Sequence, residues 1–211
     1  ALKRLLAADW FLDGDGWDRL VPGSDYLTGH LWPKHDRAAA RGKDGLAQAK
    51  RLLQVIQPAV FEDIDGVSPR QGWIPLHLVA TWMSEALNAG REVRLTRKSG
   101  LVQTTDGDYE EIKDDWTLRP EARWLLGWIN HDATVFKPGK RKDENLDEIR
   151  IAKAREWEVA FRAWVGADEA RRTQVEESYN RSFRGFIAPQ WPGEPLQIAR
   201  WTPDGVKLHP H

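Results

Sequence analysis

Arginine is concentrated in one segment of the chain that has the pattern of a helix, residues 169–184. The polar set that could contact nucleic acid there is Arg171, Arg172, Asn180, Arg181 and Arg184. A guanidinium group donates two parallel hydrogen bonds, which suits it to phosphate oxygens. Glu176 and Glu177 lie at helical spacing from these arginines, so an ordinary salt-bridged helix face explains the set equally well. Both interpretations stay open.

A second group of cations lies near a predicted turn. Residues 92–96 and 101–105 alternate between apolar and polar types on either side of Ser99 and Gly100. This pattern predicts a β-hairpin. It places Arg94, Arg97 and Lys98 at the edge or tip of the hairpin, where they could also contact nucleic acid.

Residues that could bind metal or perform catalysis form no complete set. His209 and His211 are close in sequence, but zinc sites need three or four ligands. The acidic run at 106–111 fits a solvated turn better than a cation site. The chain has no Walker-type phosphate loop, no G-x-G-x-x-G and no H-E-x-x-H. We therefore predict no catalytic residue, no metal ligand and no cofactor site, and a metal-dependent nuclease is the least favoured alternative.

Composition limits the possible functions further. The chain has 211 residues, 31 basic and 32 acidic, with a net charge of −1. This balance argues against a domain that coats DNA by bulk charge, although it allows a local basic face. Because there are no cysteines, disulfides and thiolate metal sites are excluded. The sequence has no apolar run long enough to span a membrane and no signal peptide. We therefore expect a cytoplasmic protein without a membrane partner.

Apolar periodicity predicts a mainly helical chain with a small β-hairpin element, an α+β fold built as one elongated domain or two small lobes. Helices are predicted over 2–11, 34–41, 46–57, 146–165 and 169–184, and two more begin at Pro75 and Pro120. Most of the twelve tryptophans lie in such segments, which favours the core over base stacking. Three parts are expected: a helical module with the hairpin at 1–136, a long helical pair at 145–184, and an extended segment at 185–211.

Short motifs in a fixed order extend over roughly residues 24–211. They are Tyr26-Leu27-Thr28-Gly29, then the basic Lys34 and Arg37, Gln57-Pro58, Trp73-Ile74-Pro75, Asn130 with Thr134-Val135-Phe136, Phe161 with Trp164, Arg171 or Arg172, Tyr179-Asn180 with Phe183, and finally Leu208, Pro210 and His211. This series resembles the connector region of bacterial and phage proteins that fuse an adenine DNA methyltransferase to a Swi/Snf-type helicase. The chain departs from that pattern at Pro69-Arg70, where the family has Leu-Gly, and at 191–200, where only Gly193 and Leu196 match.

The resemblance implies a context of restriction, phage defence or anti-restriction. It implies that Leu208, Pro210 and His211 adjoin a helicase motor and that the chain is a fragment which precedes that motor. ATP and S-adenosylmethionine would then be bound by the flanking helicase and methyltransferase domains of the parent protein, not by this segment. DNA is the implied partner.

We therefore expect a noncatalytic module that contacts DNA and couples a methyltransferase to a helicase. The alternative is a protein-interaction or spacer module that docks the motor or a partner, with Trp191 and Trp201 as exposed aromatic anchors.

Overall fold

The computed structural model describes residues 9–14, 19–90, 92–105, 120–131 and 146–189. Helices dominate, and the strands form short antiparallel pairs. The helices are α1 (Gly23–Tyr26), α2 (Trp32–Ala39), α3 (Leu46–Ile56), α4 (Leu76–Ala86), α5 (Pro120–Ile129), α6 (Leu146–Gly166) and α7 (Glu169–Phe183). The strands are β1 (Trp10–Asp13), β2 (Arg19–Pro22), β3 (Gly29–His30), β4 (Leu95–Lys98), β5 (Leu101–Thr104) and β6 (Phe186–Ile187). The expected α+β class with a small hairpin is confirmed.

Contacts between residues divide the chain into two compact units. The first unit comprises Ala1–Ile56 and Gly185–His211, and the second comprises Gln57–Arg184. Each unit has a hydrophobic core of its own. The three-part division expected from the sequence stays a prediction about domains.

The first unit is organised around Gln48 of α3, a buried polar residue. Its carboxamide oxygen accepts a hydrogen bond from the Leu12 N–H at 3.0 Å, and its nitrogen donates to the Leu12 carbonyl at 2.8 Å. The same nitrogen lies 3.0 Å from the Tyr26 hydroxyl. Because a pair of strands leaves backbone groups unpaired along its edge, this side chain replaces a missing neighbouring strand for β1.

A short strand pair joins distant parts of the first unit. β3 and β6 pair Gly29 with Ile187 and His30 with Phe186, and the Leu31 N–H donates to the Gly185 carbonyl at 2.7 Å. Gly185 has a φ of +80°, and a Cβ there would lie 3.0 Å from the Trp32 ring. Glycine is therefore required at this position by both backbone conformation and space.

The core of the second unit is built by helices α4 to α7. Val79, Met83, Leu125, Phe161 and Val165 are fully or almost fully buried in it. These residues recur at helical spacing on one side of each helix, whereas Ile149 and Val159, which the same spacing also grouped into an apolar stripe, are exposed. The described tryptophans lie against or within the two cores: Trp82, Trp128 and Trp157 are buried, and Trp10, Trp32, Trp73, Trp124 and Trp164 are partly buried.

The predicted hairpin is present as β4 and β5. Their register pairs Leu95 with Thr104 and Lys98 with Leu101. Ser99 and Gly100 both have positive φ, 52° and 79°, as a two-residue type I′ turn requires. The first strand begins at Leu95, three residues later than predicted, and Val93 before it donates its N–H to the Ser84 hydroxyl of α4 at 2.8 Å.

Helix prediction was wrong at the start of the described chain. Trp10 and Phe11 belong to strand β1, although residues 2–11 were predicted as a helix. Phe11 stacks on Tyr26, with ring centroids 4.7 Å apart, so a tertiary contact outweighs the local helical spacing. Most of the extended segment predicted at 185–211 lies outside the described residues, which end at 189. In the described part of the chain, no helix has the length and apolar character that a membrane span needs.

Asn180 of α7 makes the same double contact in the second unit that Gln48 makes in the first. Its carboxamide oxygen accepts from the Ala59 N–H and its nitrogen donates to the Ala59 carbonyl, both at 2.8 Å. Both residues are buried. This contact fixes the segment after Pro58 against α7.

Replacing Asn180 with alanine should destabilise the second unit by about 2–4 kcal/mol, because the buried Ala59 N–H and carbonyl both lose their partner. Asn180→Asp should also destabilise it, since a carboxylate cannot donate to the Ala59 carbonyl. Urea unfolding followed by tryptophan fluorescence measures the change. Ser182→Ala, at an exposed position of the same helix, is the control and should shift stability by less than about 0.5 kcal/mol. Equal stability of N180A and S182A would contradict this role.

Candidate nucleic-acid interface

The arginines at the start of α7 are used inside the second unit. Arg171 lies 3.6 Å from the centroid of the Trp164 ring, donates to the Trp164 carbonyl at 3.1 Å and faces Glu85 at 3.7 Å. Its backbone N–H donates to the Asp168 carboxylate, which caps the helix. Arg172 faces Glu62 at 3.9 Å. The contacts of Arg171 occupy groups that phosphate oxygens would otherwise bind, whereas the Arg172 side chain forms only this long ion pair with the described residues.

The polar residues at the end of α7 have different roles. Asn180 is buried and saturated by Ala59. Arg181 is exposed and pairs with Glu177 at 3.0 Å, one helical turn earlier. Arg184 is exposed at the C-terminal end of the helix, and its backbone N–H donates to the Asn180 carbonyl.

The structure does not bring the five α7 residues onto one face. Asn180 follows Arg171 by about two and a half helical turns, so the two side chains leave the helix on opposite sides. Only Arg181 and Arg184, three positions apart, share an exposed side. The α7 set therefore divides into internal contacts and a pair of surface arginines.

The β4–β5 hairpin carries two cations on one face. Side chains alternate across a strand, so Arg94, Thr96 and Lys98 point to the side away from buried Val102. Leu101 and Gln103 join them on that outer side, opposite Lys98 and Thr96. We call the side that carries these five residues the outer face of the hairpin.

The strands and the turn that carry the outer face contain no acidic residue, and the nearest described acidic residue before them in sequence is the exposed Glu92. Residues 93–105 include three basic side chains and no acidic one. Arg94 and Lys98 are exposed, and within the described ranges neither side chain has an ion-pair partner. They are separated by about 13 Å of strand, a span over which both can follow one nucleic-acid backbone.

Arg97 belongs to the other side of the hairpin. It lies opposite Val102, and its guanidinium donates to the Gly72 carbonyl. The side chain remains exposed beyond that contact. The three cations predicted for the hairpin are thus close together, but Arg97 anchors the hairpin while Arg94 and Lys98 face outward.

Asn130 holds the hairpin against α5, in a way that sequence reasoning missed. Its carboxamide oxygen accepts from the Val102 N–H at 2.7 Å, and its nitrogen donates to the Val102 carbonyl at 2.8 Å. Val102 uses these groups on the edge of β5 that faces away from β4. The asparagine therefore replaces a third strand and fixes β5 relative to the helix.

A cavity of about 330 Å³ lies between β5 and α5. Its lining residues are Leu101, Val102, Gln103, Arg123, Leu126, Gly127 and Asn130. Sequence analysis did not single out Gln103 or Arg123 as functional residues. The available signal was the spacing of Arg123, Leu126, Gly127 and Asn130 along one side of α5.

A second cavity, of about 490 Å³, lies in the first unit and is more polar. Lys34 donates from its rim to the carbonyls of Tyr26 and Thr28. Burial lowers the pKa of Lys34 and raises the pKa of the Tyr26 phenol. Burial also acts to raise the pKa of Asp13, but the Gly14 N–H and the neighbouring Arg19 and Arg37 outweigh it and leave that pKa lowered. Because backbone carbonyls hold Lys34 and two arginines hold Asp13, we assign this cavity a structural role.

Among the described residues, no three His, Cys, Asp or Glu side chains are grouped as a metal site requires. The junction residues Leu208, Pro210 and His211, like Trp191 and Trp201, lie outside the described residues.

Comparison with known proteins adds no assignment. Neither the protein-family models, nor the curated proteins, nor the solved structures gave a match to this chain.

Proposed function

We propose that this chain is a noncatalytic module that contacts DNA through the outer face of the β4–β5 hairpin. The observation that supports the proposal is the pair of exposed, outward cations Arg94, just before β4, and Lys98, at the end of β4, beside two strands without acidic residues. Two-stranded ribbons of this kind are known to approach nucleic acid through a groove or along a backbone. Arginine and lysine supply the phosphate contacts that dominate affinity.

The arrangement on α7 favours the hairpin over the helix as the contact surface. Releasing Arg171 for phosphate binding would break a hydrogen bond and a contact with Trp164 at 3.6 Å. A cation over an indole ring contributes roughly 0.5–2 kcal/mol, depending on its exposure. Arg94 and Lys98 require no such release. The hairpin can therefore bind phosphate without disturbing the core.

The coupling role follows from the resemblance alone and is part of the same proposal. A module between a methyltransferase and a helicase would hold DNA while the flanking domains bind S-adenosylmethionine and ATP. Asn130 and Arg97 support this role physically, since both anchor the hairpin to the body of the second unit. A surface fixed in this way can transmit force between DNA and the protein.

Removing both outward cations with Arg94→Gln and Lys98→Gln should weaken DNA binding about tenfold at low salt. It should also reduce the slope of log K against log salt by about 1.5–2, because two phosphate contacts are lost. Fluorescence anisotropy with labelled DNA between about 50 and 200 mM salt measures both quantities.

The matched control is Arg181→Gln with Arg184→Gln on α7. It gives the same net charge as the hairpin variant, so bulk electrostatics are equal in the two proteins. Affinity and slope in the control should change much less. A larger loss in the control would transfer the contact surface to α7, and absence of binding by the unaltered chain at low salt would reject the proposal.

A second candidate function, protein docking, is favoured by one specific surface. The outward side of α6 exposes Ile149, Ala152, Val159, Ala160 and Ala163, with Ile149 at 50% and Val159 at 70% exposure. These positions recur at helical spacing and form an apolar stripe that Glu156 interrupts between Ala152 and Val159. Such a stripe is typical of a helix that packs against another protein surface.

The docking function predicts site-specific crosslinking. A photoreactive amino acid at position 159, in cells that produce the protein, should give a discrete protein adduct because an apolar partner surface covers Val159. The same group at Glu158, which is exposed on a different side of α6, is the control. Equal adducts from both positions, or none from position 159, would contradict docking through this stripe.

A further inference from the structure

We infer that the cavity between β5 and α5 accepts an unpaired nucleobase, so that the hairpin binds single-stranded nucleic acid in preference to duplex. This inference rests on the proposed function and specifies the ligand of the same site. It starts from the cavity and its position beside the cationic outer face.

The cavity has a fixed shape because its walls are anchored. Asn130 ties Val102 of β5 to α5 through two hydrogen bonds, which sets the gap between strand and helix. Gly127 contributes no side chain to the helix wall, and this leaves room between Leu126 and the strand. The resulting volume, about 330 Å³, falls within the range of small-molecule sites.

The lining matches the chemistry of a base. Leu101 and Leu126 provide apolar contact for the face of a planar ring, and Leu101 is 48% exposed although it lies beside this cavity. Gln103 carries one donor and one acceptor, the pair that recognises the polar edge of a base. Arg123 can lie over the ring or bind the adjoining phosphate. Asn130 bonds both backbone groups of Val102 and so holds the wall.

The cations are placed for the backbone of the same strand. Lys98 lies directly opposite Leu101, and Thr96 lies opposite Gln103, so the side chains that border the cavity neighbour the phosphate-binding side chains. A strand whose phosphates contact Arg94 and Lys98 can therefore direct one base into the cavity. In a duplex the bases are stacked and paired, and the cavity would remain unused.

The affinity difference between two DNA backbones tests the inference in the full chain. A short oligothymidine should bind about tenfold more tightly than a strand of equal length and charge in which the bases are replaced by abasic sites, as expected for one base stack. It should also bind more tightly than a duplex of the same length. The salt slopes of the two single strands should agree, since the phosphate contacts are the same.

Two variants locate the effect. Gly127→Leu fills the cavity and should make base-containing and abasic strands bind equally, with the salt slope retained. Gln103→Ala changes an exposed side chain that carries no fold risk, and it should reduce the preference for bases about threefold or more. Thr105→Ala, exposed on the same side of the hairpin beyond the cavity, is the matched control and should keep the full preference.

The possible results distinguish failure of the proposed function from failure of the base cavity. Absence of binding to any DNA at low salt rejects the proposed function and the base cavity together. Binding with equal affinity for base-containing and abasic strands keeps the proposed function and overturns the cavity. A preference that survives in both G127L and Q103A also overturns it. If G127L fails to fold, the comparison of Q103A with T105A decides the question.

Discussion

Buried backbone that lacks a sheet or helix partner is the constraint on which this structure depends. Among the described residues, three carboxamide side chains meet it in the same way: Gln48 for Leu12, Asn130 for Val102 and Asn180 for Ala59. A carboxamide has one acceptor and one donor at the spacing of a peptide group, so it satisfies both backbone groups of one residue at once. Leaving such groups buried and unpaired costs roughly 1–3 kcal/mol each, so these few contacts contribute substantially to the stability of the fold.

These carboxamide contacts also explain how very short strands remain stable. A pair of four-residue strands is marginally stable by itself, and β4–β5 gains stability from Val102 in the core and from Asn130 at its edge. Because Asn130 occupies the inner edge of β5, the hairpin cannot pair there with another strand. Its outer face and the adjacent cavity are consequently presented in one fixed orientation. Function at this surface would depend on side chains rather than on added backbone pairing.

Periodicity predicted the elements whose packing is local. Helices α3, α4, α6 and α7 were predicted within a few residues, because apolar side chains recur at helical spacing and proline or glycine limits the ends. The hairpin was predicted because Ser99 and Gly100 suit a tight turn. β1 and the β3–β6 pair were not predicted, since each depends on a contact with a remote segment: Phe11 with Tyr26, and Gly29 with Ile187.

Within the candidate site, the positions of the hairpin cations were predicted from the sequence. The cavity was not, because it forms only when Asn130 brings β5 to α5.

The same distinction between sequence and position applies to charge. The arginines of α7 and of the hairpin carry the same charge, but their surroundings in the fold give them different contacts. Arg171 contacts Trp164 and Glu85 inside the unit, whereas Arg94 is exposed just before β4 and forms no ion pair with a described residue. An exposed ion pair contributes at most about 1 kcal/mol, so Glu177 holds Arg181 only weakly.

The two surfaces therefore differ in the side chains that surround each cation and not only in the ion pairs that the cations form. At the hairpin, two cations, a carboxamide and the largely apolar cavity between β5 and α5 lie close together. With a net charge of −1, the chain cannot attract nucleic acid by its total charge, and a compact local arrangement of this kind is what DNA binding would require.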